Sequence, residues 1–479
     1  MVTKTVVFSP FARLEGDLQI KVDIEDGRIV RSQASGTLYR GFEPMLRGRD
    51  PLDAIALTCR VCGQCGAAHS AACAAAIRAL AAVEMPPNGT LSCNAILAIE
   101  TVVSHLAHFY LSFAPDLAGS VHDDKAAGRF LPPEGRSFAR ALRAREEILG
   151  VLGLFAGKWP NTLAIQPGGT TKAVDASEIR RARGLLDEFV EFIQQQVIGC
   201  DLERWLALRS ASDLDQWLGE GAQAASDVGF FVRLSLQSGL DRIGAWAARF
   251  ISSGGWAGPA GEPLMRPGFY DGRAGEFDPA EIVEHVKYSW YDPHEGGVHP
   301  FEGETDPAPE REEAYSWAKA PRYAGQPAEA GPLARMVNDR DGLVLDLMNR
   351  HGPSAFVREM ARLHEVMRLL RQIAVWLGEL DPDEPFCAAT PRLGSARGAG
   401  VVEAPRGILG HWVRTEEGRI RNYQIITPTG WNLSPRDSQD NPGPLEAALV
   451  GVPVPDPDRP LAMSYVVKSF DPCLFCTVH

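Results

Sequence analysis

Apolar and polar positions alternate from Leu18 to Ile24, and Asp26-Gly27 follows as a tight-turn signal before Arg28-Ile-Val30. This pattern predicts a β-hairpin near the start of the chain. Residues 53–114 are rich in Ala and Leu and predict helix, with a break at Pro86-Pro-Asn-Gly89. Residues 140–155 and 176–198 carry helical periodicity, and Asp175 is placed to cap the second of these. From 254 to about 334, Gly, Pro and acidic residues dominate, which predicts surface loops with few regular elements. Residues 355–380 predict a long amphipathic helix with Met360, Leu363, Met367, Leu370, Ala374 and Leu377 on one face. Strands return after Pro391: 408–414, a turn at Glu416-Glu417-Gly418, and 419–426 form a second predicted hairpin. No internal repeat and no linker divides the chain. The expected fold is mainly α with small β-sheets near both chain ends (α+β), as one domain over 1–479.

Composition adds little to this until the cysteines are counted. The chain has 479 residues, 45% apolar and 23% charged, within the usual range for a globular protein. Its formal charge of −13 argues against nucleic acid as the main partner, because phosphate contacts need clustered Lys and Arg. The sequence shows no unbroken apolar run of membrane-spanning length, so no transmembrane segment is expected. The N-terminal residues lack the pattern of a signal peptide, which leads to an expected cytoplasmic location; export attached to a partner is compatible with this.

Nine cysteines occur, at 59, 62, 65, 73, 93, 200, 387, 473 and 476. An odd number in a chain this long does not resemble a disulfide framework. Four of them form two C-x-x-C pairs, in Arg60-Val-Cys62-Gly-Gln-Cys65-Gly-Ala-Ala-His69 and Asp471-Pro-Cys473-Leu-Phe-Cys476-Thr-Val-His479. Two such pairs could bind structural zinc. Against that reading, most of the chain separates them, and zinc has no need of Arg60, His69 or a terminal His479. A thioredoxin-like redox role would need only one pair, beside a βαβ unit that the pattern does not show. Cys59, Cys73, Cys93, Cys200 and Cys387 lack cluster spacing and read as buried small apolar residues.

The two segments resemble the R-x-C-G-x-C-x-x-x-H and D-P-C-x-x-C-x-x-H signatures of nickel–iron hydrogenase large subunits. The likeness extends along the chain through Arg13-Leu-Glu-Gly16, Arg40-Gly-Phe-Glu43, His108-Phe-Tyr110, Asp116, Tyr315-Ser-Trp317, Lys319-Ala-Pro-Arg-Tyr323, Gly331-Pro-Leu-Ala-Arg335, Glu403-Ala-Pro-Arg-Gly407 and Trp431-Asn-Leu-Ser-Pro-Arg-Asp437. The resemblance implies reversible cleavage of H2 to protons and electrons. It implies a nickel–iron centre whose iron carries CO and two cyanides. Cys62 and Cys473 would be terminal nickel ligands, and Cys65 and Cys476 would bridge to iron; soft thiolates suit these metals. Glu15 would accept the proton; taken alone it reads as a salt bridge to Arg13. Arg406, Asp116 and Asp471 would form a charged canopy, for which a purely structural network is the alternative. Pro405, Arg406 and Thr429 would surround the diatomic ligands of the iron. Glu43, the Ile425 carbonyl and His479 would hold Mg2+ or a similar divalent ion. His69 would stand beside the cysteine sulfurs, while His105, His108 and His411 read as buried, satisfied groups.

Four positions depart from the family pattern. Gln64 stands where Val or Ile is common, and Pro115 where Leu or Phe is; the resemblance places both at the narrow end of the gas path. Asn161 and Asp17 each stand where His is frequent. The chain also ends at the histidine after which many members lose a tail: either this is the mature form, or the gene encodes no tail, as in the regulatory H2-sensing subgroup, for which slow turnover with signalling to a kinase is the alternative expectation. No further cysteine cluster remains to hold iron–sulfur centres, so an iron–sulfur small subunit is the expected partner, with a second heterodimer as a further one.

Overall fold

Strands Leu18–Glu25 and Arg28–Gly36 pair around Asp26-Gly27 as predicted, and Lys4–Phe8 adds a third antiparallel strand. Alternation sends Leu18, Ile20, Val22 and Ile24 to one buried face. That face packs on Leu445, Val466 and Phe470, so the N-terminal sheet closes on the C-terminal end of the chain. These elements belong to a computed structural model that describes residues 3–11, 13–120 and 124–477.

Helices form the body. Gly66–Ala81, Pro87–Ala107, Arg136–Ala156, Ala176–Phe192 and Ala355–Glu379 are the long ones. Pro86-Pro-Asn-Gly89 separates the first two, and Pro87 starts the second, where a missing N–H costs nothing. Asp175 caps its helix within a full capping box completed by Glu178. The Ala355–Glu379 helix lies in the centre against Pro87–Ala107. Its predicted face is buried except at Ala374, which is exposed; Ile373 and Trp376 complete the buried face instead.

Three antiparallel strands, Ala396–Ala404, Gly407–Glu416 and Arg419–Ile426, make the C-terminal sheet. The first of these extends the predicted hairpin. It lies directly on the Gly66–Ala81 helix, and glycine makes that approach possible: a Cβ on Gly400 would stand 2.1 Å from the Ala72 carbonyl oxygen.

Two expectations need correction, and one helix resembles a membrane span in composition only. The stretch 254–334 contains short strands at Gly268–Asp271, Ile282–His285 and Ala320–Tyr323, and its last part is buried. The charge of Arg322 is what hides there, paired at 2.8 Å with Asp437. One helical run, Pro87–Gly119, is long and apolar enough to cross a membrane, with mean hydropathy 1.4, but 83% of that window is buried inside the fold. It includes a π-helical turn, His108–Phe113, just before Pro115, whose missing N–H cannot continue the α-helical ladder. Finally, Cys200 is only half-buried and Cys387 is exposed, so these two are not core residues; Cys59, Cys73 and Cys93 are.

Buried ions join the elements. Arg335 donates to Glu365 on the central helix at 2.6 Å and to Glu403 at the end of the first C-terminal strand at 2.8 Å. Replacing Arg335 by Ala leaves two buried carboxylates uncompensated, so a loss of about 3–5 kcal/mol is expected in denaturant titrations. Glu446 accepts from the Ala34 N–H at 3.0 Å and from the Tyr315 hydroxyl at 2.8 Å, and burial pushes its carboxyl from the usual 4.5 up to about 7. A raised carboxyl stabilises the fold fully below pH 4.5, and that contribution disappears as pH rises through about 7. Glu446→Gln should therefore flatten the fall in stability between pH 5 and pH 8, by about 3 kcal/mol at most, in parallel unfolding curves.

Candidate metal centre

The first cysteine pair lies in the turn that starts the Gly66–Ala81 helix. Cys65 is the residue before the helix, and Glu100 of the next helix caps it by accepting from the Ala67 and Ala68 N–H groups, each at 3.0 Å. Trp159 donates to the same carboxylate at 2.9 Å. The Gln64 and Cys65 N–H groups both donate to Cys62 Sγ at 3.3 Å, folding the turn around that sulfur. Gly66 is needed because a Cβ there would stand 2.8 Å from the Cys59 carbonyl oxygen.

The second pair is brought in by the N-terminal segment. Glu15 and Cys473 form a parallel bridge, and the Leu474 N–H donates to the Glu15 carbonyl at 2.7 Å. The Cys473 N–H donates to Thr429 Oγ1 at 3.1 Å. Arg40 then ties the two pairs together: its guanidinium donates to the carbonyls of Val61 at 2.6 Å, Arg60 at 2.9 Å and Phe475 at 3.2 Å.

All four sulfurs therefore meet in one buried volume. Cys65 and Cys476 are 3.1 Å apart, Cys473 and Cys476 3.2 Å, and Cys62 and Cys473 3.6 Å. None is in a disulfide. Ligand atoms of Cys62, Cys473 and Cys476 lie within 4.8 Å of one another, as do those of Cys65, His69 and Cys476. Neighbouring thiols donating to Cys473 hold its thiol well below the ordinary range, while hydrogen bonds raise Cys65 and burial raises Cys476.

Charged groups lie above the sulfurs, around a cavity of about 230 Å³ lined by Glu15, Gln64, His108, Arg406 and Asp471. Arg406 donates through Nε to the Asp471 carbonyl at 2.9 Å and through Nη2 to its carboxylate at 3.1 Å. Burial works against the Asp471 anion, but Arg406 and His108 outweigh it and hold the carboxyl well below the usual range. Burial, aided by the Cys473 charge, raises Glu15 despite Arg406. Arg406 Nη1 is buried and lacks a partner among the described atoms.

The canopy differs from the expectation in one member. Asp116 does not join Arg406 and Asp471; it pairs with Arg13 and Lys468, two cations that reach it from the N-terminal segment and from the Leu461–Ser469 helix. Glu15 is accordingly free of Arg13 and accepts a hydrogen bond from Gln64 instead. Pro405 is held through its carbonyl, which accepts from Arg335 at 3.0 Å, and so Arg335 fixes the turn that carries Arg406. His69 contacts His411 at 3.1 Å, and His411 contacts the Tyr423 hydroxyl at 2.8 Å. Glu43 accepts from the Lys319 ammonium at 3.1 Å and from the Ile425 N–H at 2.7 Å, so Ile425 meets it through its donor. His479 lies outside the described residues.

Sequence reasoning passed over several working residues. Arg40 and Arg335 stood inside quoted motifs without a role. His108, the first residue of the π turn, bridges Asp471 at 3.1 Å and Glu359 at 2.9 Å. Gln64, which the resemblance places on the gas path, also accepts a hydrogen bond from Arg406 at 3.0 Å. Glu100 and Lys468 carried no signal at all.

The chain matches the family model described as nickel-dependent hydrogenase over residues 40–127 and 136–479. It is 30% identical to the periplasmic NiFeSe hydrogenase large subunit of Desulfomicrobium baculatum, covering 99% of this chain and 94% of that protein. It is 27% identical to the hydrogenase-2 large chain of Escherichia coli K12, covering 100% of this chain and 97% of the other. Among solved structures, the Ni-Fe-Se hydrogenase of D. vulgaris Hildenborough in the reduced state superposes with a TM-score of 0.86 at 31% identity, over 100% of both chains. A match over most of its length, with the four sulfurs gathered as described, makes this chain a member of the nickel-dependent hydrogenase family, as a large subunit.

Proposed function

We propose that the four cysteines hold a nickel–iron pair whose iron carries CO and two cyanides, and that H2 is cleaved there with Glu15 as the proton acceptor. The observation that carries this reading is the convergence of four sulfurs, from segments 411 residues apart, with gaps of 3.1 to 3.6 Å. The donor set fits. Cys62 and Cys473 would be the terminal nickel ligands, and Cys65 and Cys476 the bridging ones, since soft thiolates suit these metals. Arg406 Nη1 offers a buried donor without a partner, which a cyanide nitrogen would satisfy. Thr429 accepts from the Cys473 N–H, so its own hydroxyl proton remains to be donated.

When bound, the metal pair supplies a redox-active Lewis acid that polarises H2 and takes up its electrons. The protein residues do the rest. Glu15 is joined by backbone to Cys473, so a carboxylate of raised proton affinity stands next to one of the four cysteines. Asp471 holds the Arg406 guanidinium over the cluster, and His108 holds Asp471 from behind. Electrons must leave through another chain. The relatives are large subunits, which implies a small subunit here. An iron–sulfur relay in that partner is supported by this chain's five remaining cysteines, none of which joins a metal-binding group among the described residues. A divalent ion at Glu43 would share the carboxylate with Lys319.

Metal analysis and infrared spectroscopy of the purified heterodimer test the centre. Stoichiometric nickel, with one CO band and two cyanide bands, is expected; zinc in place of nickel and no such bands would refute it, and equimolar magnesium would place the divalent ion. Glu15→Gln should lose about 10²–10⁴-fold in H2 oxidation while keeping nickel, the range for removing a positioned acid–base group. Wild-type turnover in that variant would end the assignment of Glu15.

A further inference from the structure

Gln64 touches both charged partners of the cavity. Its Nε2 donates to Glu15 Oε1, and Arg406 Nη2 donates to its Oε1 at 3.0 Å. The amide can be placed only one way. A guanidinium has only donors and an ionised carboxylate only acceptors, so a flipped amide would set N–H against N–H and oxygen against oxygen. Its backbone is held as well, by the N–H bond to Cys62 Sγ at 3.3 Å. The side chain is thus pinned at three points within the turn between two metal-binding cysteines.

We propose that Gln64 is a positioning residue for proton transfer: it orients the Glu15 carboxylate over the sulfur cluster and keeps it apart from the Arg406 guanidinium. The proposal rests on the reading of Glu15 as proton acceptor. Arg406 Nη2 divides its bonding between Asp471 Oδ1 at 3.1 Å and Gln64. Without the amide, the Glu15 carboxylate would lose its Gln64 donor and the Arg406 guanidinium, still held by Asp471, would lose its Gln64 acceptor, and both would face one cavity of about 230 Å³. They would turn toward each other, because opposite charges removed from water pair directly. The amide prevents this by satisfying both at once. An apolar residue of the same size could block gas equally well but could do neither of these things, so bulk and polarity are separable at this position.

The experiment uses the metal-loaded heterodimer and three variants: Gln64→Met, which keeps the bulk and removes both hydrogen bonds; Gln64→Val, which removes both; and Glu15→Gln. D2 in H2O exchanges through the site as D2 + 2H+ → H2 + 2D+, and the ratio of H2 to HD formed reports how fast protons leave relative to gas. In both Gln64 variants the ratio should fall about tenfold, the effect of losing a hydrogen bond to a charged group. Nickel content should be unchanged. A second readout does not depend on turnover: the carbonyl stretch of the protonated Glu15 carboxyl, identified by its absence in Glu15→Gln, should move to higher wavenumber in Gln64→Met. A wild-type ratio and an unmoved band in Gln64→Met overturn the proposal. So does a change confined to Gln64→Val and to KM for H2, which would make Gln64 a gas barrier only. If Glu15→Gln itself exchanges like wild type, the reading of Glu15 fails and the proposal falls with it; blocked exchange in Glu15→Gln beside wild-type exchange in Gln64→Met removes the positioning role alone.

Discussion

Two short segments at opposite ends of the chain must be held face to face for their four sulfurs to meet. Arg40 and the Glu15–Cys473 bridge supply that restraint. The Arg40 guanidinium satisfies carbonyls on both sides of the cluster, including one 435 residues away in sequence. Closing so long a loop costs entropy. The N-terminal sheet helps to meet that cost by burying Leu18, Ile20, Val22 and Ile24 against the C-terminal helices. The cluster is therefore a product of the closed chain, and each piece of the fold that brings the ends together also builds the site.

Behind the cluster, charge replaces apolar packing. The central helix presents Arg358, Glu359, Arg362, His364 and Glu365 to the interior, and all are buried. Each is paired. Glu359 binds His108, which holds Asp471. Glu365 binds both His105 and Arg335, and Arg335 holds the turn that carries Pro405 and Arg406. Such networks add little stability compared with apolar packing, yet removing one member is costly. Here they connect the central helix with both sides of the canopy, so the positions of Arg406 and Asp471 are set from within the fold.

Elements governed by near neighbours were readable from sequence alone. The Asp26-Gly27 hairpin, the Asp175 cap and the break at Pro86-Pro-Asn-Gly89 follow from local backbone rules. So did the long central helix, apart from Ala374, because amphipathic periodicity places a face to within about one residue. The apolar run Pro87–Gly119 illustrates the limit. Its hydropathy would suit a membrane, and only its burial among other helices shows that it is core.

The site divides along the same line. Residue type and spacing identified the four cysteines, because two thiols three residues apart on one turn must lie close together. The family resemblance, and not their spacing, implied that Glu15, Arg406 and Asp471 belong with them. It could not show which charge pairs with which. Asp116 goes to Arg13 and Lys468 because those cations come from segments that meet it only in the folded chain. Gln64 acquires its two partners for the same reason, since neither Glu15 nor Arg406 is near it in sequence. The sequence determined the two cysteine pairs and the local elements, whose causes act over a few residues; the tertiary structure decided the pairing of buried charges, which depends on distances that no local rule contains.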